Sequence, residues 1–224
     1  MAAGSLNASG KWEYNGQVWF NIGDEKTFTL SDGTILTAQI ADFDHDVDKY
    51  GNKIPATIII KELLPEVHCM NPIDKEGLET NYGGWVDSTL YKYLHTEVFE
   101  KLPEDLRVLI TPVMKSSTAG SKDTTIQTAE DILFIPSAAE VGGQSVVPYI
   151  DEGTLYPIFS AETAATRVKN VAGTSTPSLW WTRSPNPGTT TAFLRVKTTG
   201  SVSNENASTE LGIAFGFCLG GHTL

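Results

Sequence analysis

A chain of 224 residues with 40% hydrophobic and 19% charged side chains is long and apolar enough to bury a core, which excludes wholesale disorder. A formal net charge of −11 without any basic run excludes the electrostatics on which phosphate-backbone binding rests, so no nucleic-acid partner is expected. No 18 consecutive residues are apolar, so no membrane insertion is expected, and residues 1–11 lack the charged start and apolar stretch of a secretory leader.

In chain order, residues 1–16 read as a polar lead-in, with Gly4, Ser5, Asn7, Ser9 and Gly10 offering little to a core. From residue 17 the chain turns strand-like. Val18–Phe20, Thr27–Leu30 and Thr34–Thr37 are β-rich runs punctuated by Gly23-Asp24 and Ser31-Asp32-Gly33, and Ala56–Ile60 follows a Gly51-Asn52 turn. Leu90, Leu94 and Val98 repeat at four-residue spacing behind Asp87-Ser88 and ahead of Pro103, which predicts a helix over 88–102. A second short helix follows over 104–110. Asp131–Pro136, Ser178–Arg183, Thr191–Lys197 and Gly212–Leu219 read as strands, the last two joined through the polar stretch Thr198–Leu211. Scattered turns, no repeat and no linker after residue 16 point to one α+β domain over 17–224, loop-rich, with short antiparallel sheets, one main helix and one short one.

Few residues carry an obvious chemistry. The run Asp42–Asp48 invites calcium, yet the EF-hand spacing fails from either start. Counting from Asp42 puts Val47 at the glycine position; counting from Asp46 puts Thr57 where the bidentate glutamate belongs. A solvated turn is the plainer reading. His45, His68, His95 and His222 share no metal spacing, and Cys69 and Cys218 form no Cys-x-x-Cys, so no metal and no cofactor are expected; a disulfide between the two cysteines stays open. No Gly-x-Ser-x-Gly occurs, and His68 and Cys69, as strand neighbours, point to opposite faces, so no catalytic residue is assigned.

One compositional feature stands out. Between Ser184 and Glu210, thirteen of 27 positions are Ser, Thr or Asn and only four are charged. Small neutral polar groups give adaptable hydrogen bonding, as in antibody paratopes, and Trp180, Trp181 and Phe193 stand ready as aromatic anchors. The same composition also suits ordinary strands and turns.

The segments Met70-Asn71, Gly83-Gly84-Trp85-Val86-Asp87-Ser88, Leu90–Leu94, Trp180-Trp181-Thr182-Arg183-Ser184-Pro185 and Gly212–Cys218, with Phe43-x-His45-Asp46 ahead of them, carry a resemblance. In this order and spacing they resemble a family of domains of uncharacterised function found in gut Firmicutes and their phages, over residues 17–219. Tyr91 and His95 depart from the family pattern, which has Arg and Asn there. The resemblance implies a C-type-lectin-like fold. It also implies kinship with the variable proteins of diversity-generating retroelements, whose variable segment lies near the C-terminus. Carried onto this chain, the ligand-binding positions so implied are Trp181, Asn186, Thr189, Thr190, Thr191, Phe193, Arg195, Ser201, Ser203, Asn204, Asn206 and Ser208. The sugar-binding signatures of lectins are absent, and fold alone does not fix a ligand.

The expected function is therefore non-enzymatic: receptor binding, for host attachment, from the surface of a phage virion, on a tail or head fibre. The partners would be a bacterial surface protein or glycan and other virion proteins, and a homotrimeric mount would suit a fibre. A bacterial adhesin at the cell surface or secreted, and a structural virion protein, are the alternatives. An enzyme related to formylglycine-generating enzymes would need a reactive cysteine pair or copper site, which Cys69 and Cys218 lack the spacing to form.

Overall fold

Five consecutive β-favouring residues, Ala56-Thr57-Ile58-Ile59-Ile60, have no polar face to offer water, and the computed structural model buries all five in the middle of a sheet. The structure describes residues 21–142, 150–159 and 163–220, together with the backbone of three N-terminal strands. The strands are β1 (Ser5–Leu6), β2 (Trp12–Tyr14), β3 (Gln17–Phe20), β4 (Glu25–Thr29), β5 (Ile35–Phe43), β6 (Ala56–Ile60) and β7 (Val113–Gly120). They continue as β8 (Asp123–Asp131), β9 (Lys169–Asn170), β10 (Pro177–Ser178), β11 (Trp180–Pro185), β12 (Ala192–Val196), β13 (Val202–Asn206) and β14 (Gly216–Leu219).

Four small antiparallel sheets form between residues 21 and 220: β14-β6-β5-β4, β11-β12-β13, the hairpin β7-β8, and the pair β10-β9. The segment expected as a lead-in carries β1 and β2, which pair with β3 in a fifth antiparallel sheet. The chain is mostly β with few helices, which shifts the expected α+β balance. The loop-rich character and the one long helix stand as expected; the short helix expected over 104–110 is a single turn, and a further short helix, Ala138–Val141, was not anticipated. Among the strands not legible in the sequence are the two of the β7–β8 hairpin, and β13 within what reads as a polar connection. These are rich in Ser, Thr and Asn, which serve turns and edge strands equally. Conversely, Leu133–Ile135 is fully buried but makes a single bridge, Phe134 to Gly216, rather than a strand.

The main helix runs without a break through Thr89–Tyr93, a π-helical turn Leu94–Val98, and Phe99–Lys101. Ser88 caps it, its Oγ accepting from the Tyr91 N–H at 3.0 Å. Leu90, Leu94 and Val98 are fully buried, as the four-residue spacing requires. In the middle, His95 Nδ1 and the Thr96 hydroxyl donate to the carbonyls of Tyr91 and Lys92 at 2.8 Å each. Side chains thus compete for the acceptors of the ordinary ladder, and the Phe99 N–H bonds five residues back, to Leu94. A single turn, Glu104–Arg107, follows Pro103. No helix among the described residues is long and apolar enough to cross a membrane.

Two large apolar clusters fill the interior, with a small third at Ala138 and Leu194, and the period of two along each strand sorts residues between the large ones. Ile58, Ile60, Trp181 and Phe217 join the main helix and Trp85 in one; Ile59, Trp180 and Cys218 join Phe134, Tyr156 and Phe159 in the other. Strand β11 is buried at all six positions because both clusters use it. Trp180 and Trp181 therefore both belong to the core. This corrects the assignment of Trp181 to a binding surface. Its indole N–H donates to the His68 carbonyl at 2.9 Å, and its ring meets Phe193 edge-on. Phe193 is likewise 0% exposed, which removes it from the surface as well.

Candidate functional site

Behind the polar C-terminal region lies a buried ionic centre. Arg183, on β11, is fully enclosed, and all five of its N–H groups are engaged. Nε donates to Ser116 O (2.9 Å), Nη1 to Ile135 O (3.0 Å) and Glu140 Oε2 (2.5 Å), and Nη2 to Glu140 Oε1 (2.7 Å) and Glu152 O (2.6 Å). The planar fork matches the Glu140 carboxylate in a bidentate pair. Glu140 is set there by its own short helix, Ala138–Val141, where a reciprocal capping box with Ser137 fixes the carboxylate.

Lys115, on β7, reaches the same carboxylate at 3.2 Å and also donates to Asp46 and to the Tyr156 hydroxyl. Asp46 accepts further bonds from Thr57 Oγ1 (2.6 Å) and Tyr156 OH (2.9 Å). Burial opposes ionisation throughout, but the Lys115 charge outweighs it at Asp46 and holds that carboxyl at about 2. Likewise burial would pull Lys115 down, and Glu140 and Asp46 hold it up. Glu152 differs: burial raises it despite donors from Thr118 N–H (2.7 Å) and the Ser184 hydroxyl. Two cations and two carboxylates therefore neutralise one another in a water-poor site, tying β7, β11 and the 138–141 helix together.

A cavity of about 160 Å³ opens beside this centre, lined among others by His45, Met114, Ser116, Gly153 and Thr154. At its mouth the His45 ring lies 2.6 Å from Asp42 Oδ2 through Nδ1 and 3.0 Å from Thr154 Oγ1 through Nε2. The carboxylates of the Asp42–Asp48 run are dispersed by these demands. Asp42 faces His45, Asp46 faces Lys115, and Asp48 accepts the N–H groups of Tyr50 and Asn52 within its own turn. Among the described residues no group of three or more His, Cys, Asp or Glu is placed to hold a metal, and both cysteines are free.

Strands β7 and β11, clamped at this centre, carry loops that meet at a second hub, Asn81, which is fully buried. Its Nδ2 donates to the carbonyls of Ala192 (2.7 Å) and Thr189 (3.3 Å), and its Oδ1 accepts from Ser121 N–H (2.7 Å) at the β7–β8 tip. Its own N–H donates to Thr190 O. That tip turns on Ser121 and Lys122, both at positive φ (51° and 68°), the geometry of a two-residue hairpin turn without its usual Asn-Gly. Gly120 and Gly84 are required beside it: an added Cβ would stand 1.8 Å from Asn81 O and 2.1 Å from Thr118 O respectively.

The structure divides the positions named from the sequence. Asn186 and Thr189 spend their side chains on their own loop, accepting from Gly188 and Ala192 N–H groups. Thr190 beside them is exposed, while Thr191 is half-buried and its carbonyl accepts from Ala207 N–H. On β13, Asn204 and Asn206 are exposed and Ser203 is half-buried; Arg195 pairs with Glu205 at 3.1 Å, and Ser208 donates to Glu79. Ser201 lies in the turn at the far end of the β12–β13 hairpin, opposite Lys197 and about 17 Å by strand rise from the Ala192 end that Thr190 precedes, so it does not join the others.

The loop 72–82, which composition did not single out, does join them. It is held by the bonds of Asn71 N–H to Ala207 O and of Asn81 N–H to Thr190 O, and by the Ser208–Glu79 contact. It presents Ile73, Leu78 and Tyr82 at 55%, 57% and 72% exposure, within three residues of these anchoring contacts. The only sequence signal for it was the Asn-Tyr-Gly-Gly-Trp run, which reads as a turn before a helix.

A family model, a domain of unknown function (DUF6273), matches residues 56–221, a span that holds the main helix, every strand from β6 onward and the whole candidate face. No curated protein and no solved structure matches the chain.

Proposed function

The chain belongs to this family of domains of unknown function, and on that premise we propose that it is a non-enzymatic binding protein whose face is built by the loops meeting at Asn81. The observation that carries the reading is the contrast between frame and face. A fully satisfied ionic centre and a two-sided core hold β7 and β11, while Thr190 on the loop after β11 and Asn204 and Asn206 on β13 carry side chains unengaged among the described residues, and Tyr82, Leu78 and Ile73 stand exposed on the 72–82 loop tied to Thr190 and Ala207. A rigid scaffold presenting adaptable polar groups and aromatic area is what recognition requires. The finer identity rests on the motif resemblance: a C-type-lectin-like fold, displayed on a phage particle, contacting a bacterial surface protein or glycan, with the C-terminal positions open to retroelement diversification. A bacterial adhesin and a structural virion protein remain the competing settings.

Sequencing the gene and its flanks from many isolates tests this directly. Adenine-directed changes at codons 190, 204 and 206, with codons 81, 181 and 193 constant and a template repeat nearby, are the expected result. A face as constant as the core sinks diversification. At the protein level, the triple change T190A/N204A/N206A should lower adsorption to host cells at least tenfold with an unchanged thermal midpoint; unchanged adsorption overturns the assignment of the face.

One observation favours a different class. The Asp42–His45–Thr154 chain at the cavity mouth is an acid–imidazole–hydroxyl relay of the kind that activates a nucleophile. Against it, the Arg183 and Lys115 donors behind the cavity are already committed to protein acceptors, which leaves them none for a developing oxyanion. Incubation with a fluorophosphonate ester distinguishes the two: Thr154 unmodified by mass spectrometry is the outcome expected here.

A further inference from the structure

Strand β8 is nine residues long, and on its outer side nothing among the described residues pairs with it. Which of its backbone groups point outward follows from β7. The Met114 N–H donates to Val47 O and the Thr118 N–H to the Glu152 carboxylate, both away from β8. In an antiparallel ladder the residues opposite such positions also point away, and these are Glu130 and Ile126. The free edge therefore offers N–H and C=O groups at Ile126, Thr128 and Glu130. Its centre, Thr124-Thr125-Ile126-Gln127-Thr128-Ala129, has no charge, proline or glycine, the features by which natural edge strands refuse partners.

We propose that a second copy of this chain pairs with this edge, antiparallel, about a two-fold axis through Ile126, so that two hairpins make one four-stranded sheet. Three features of the hairpin are complementary in that register. Ile126, with its outward N–H and C=O, meets itself and exchanges two backbone bonds, while Thr124 meets Thr128. Lys122 of each copy, at the hairpin tip one residue outside the strand, comes beside Glu130 of the other, which also lies 3.5 Å from its own Lys49. The neighbouring registers that keep outward groups paired shift by two and set Glu130 against Thr124 or Gly120 instead. Gln127 comes opposite Thr125, so a half-buried amide meets a hydroxyl-bearing side chain of the other copy. The net charge of −11 on each copy opposes the approach but is screened beyond about 8 Å at physiological salt. A single strand-edge contact is small, so the dimer is expected to be weak, in the micromolar range or above.

Sedimentation velocity of the full chain in 0.15 M salt, from micromolar to millimolar, tests the proposal. A concentration-dependent monomer–dimer equilibrium is expected. I126P removes an outward N–H without touching the β7 ladder and should weaken the dimer at least tenfold. K122E and E130K, both at exposed positions, should each weaken self-association, and an equimolar mixture of the two should restore it as a heterodimer. A chain that stays monomeric at millimolar concentration, a trimer, a self-association indifferent to I126P, or charge variants whose mixture does not recover overturns the proposal.

Discussion

Asp131 ends β8 with one carboxyl oxygen accepting the indole N–H of Trp85 at 2.7 Å and the other buried without a partner among the described residues. Burial dominates its titration and raises it to about 7 from the ordinary 3.8. The folded state thus holds its proton more tightly than the unfolded chain does. Its contribution to stability is complete below about pH 4 and is lost as pH rises towards 7, by an amount on the order of 4 kcal/mol at most. D131N keeps an acceptor for Trp85 and removes the titration, so the variant should gain on the parent between urea unfolding at pH 5 and at pH 8; equal pH dependence in the two would show that Asp131 ionises freely. The adjacent contact has the opposite sign. His95 donates through Nδ1 to Tyr91 O and accepts the Ile132 N–H through Nε2, so it is held neutral, and burial lowers its affinity for protons. Its contribution is present above about pH 6.5 and fades as pH falls below it.

At the scale of elements, single polar side chains do the joining that backbone ladders cannot. Asn81 is the clearest case, since its amide donates to one loop while its carbonyl accepts from another. N81D keeps the size but turns the donor into an oxygen facing two carbonyls. It should cost on the order of 3 kcal/mol in urea unfolding and speed amide exchange in the 186–192 loop. A change below about 0.5 kcal/mol would show that the loops hold together without it. The main helix was legible from its cap and its Leu90–Leu94–Val98 spacing, because both are local. The π-turn inside it was not, since it depends on where His95 and Thr96 find acceptors and on the Ile132 N–H that His95 receives from outside. Nor did Ser-, Thr- and Asn-rich composition separate β8 and β13 from loops, because edge strands whose inner face is only half-buried carry polar residues on both faces and so lack apolar alternation.

Across the whole molecule, the ionic centre is where the sheets are joined, and Arg183 is its most connected member. Lysine there preserves the charge but supplies three donors for five acceptor contacts. R183K should therefore lower stability by about 3 kcal/mol and expose β7 and β11 to exchange together. Near-parent stability would mean that water substitutes for the guanidinium. Because the 190–206 positions lie outside this centre, substitutions there and at the centre should combine additively in unfolding measurements.

Local pattern by itself determined the helix with its cap, the apolar strands β6, β11 and β14, and the neutral polar character of the 184–210 segment, because each follows from neighbouring residues and a fixed period. Tertiary structure alone decided that Trp181 and Phe193 are core while Thr190, Asn204 and Asn206 are surface. A strand flanked by apolar clusters on both sides buries aromatic residues that alternation would place outside. It also decided that Lys115, Asp46, Glu140 and Arg183 meet, and that the 72–82 loop borders the polar face. Such contacts join residues dozens of positions apart, and the gain from neutralising a buried charge appears only once the chain has brought its partner to it.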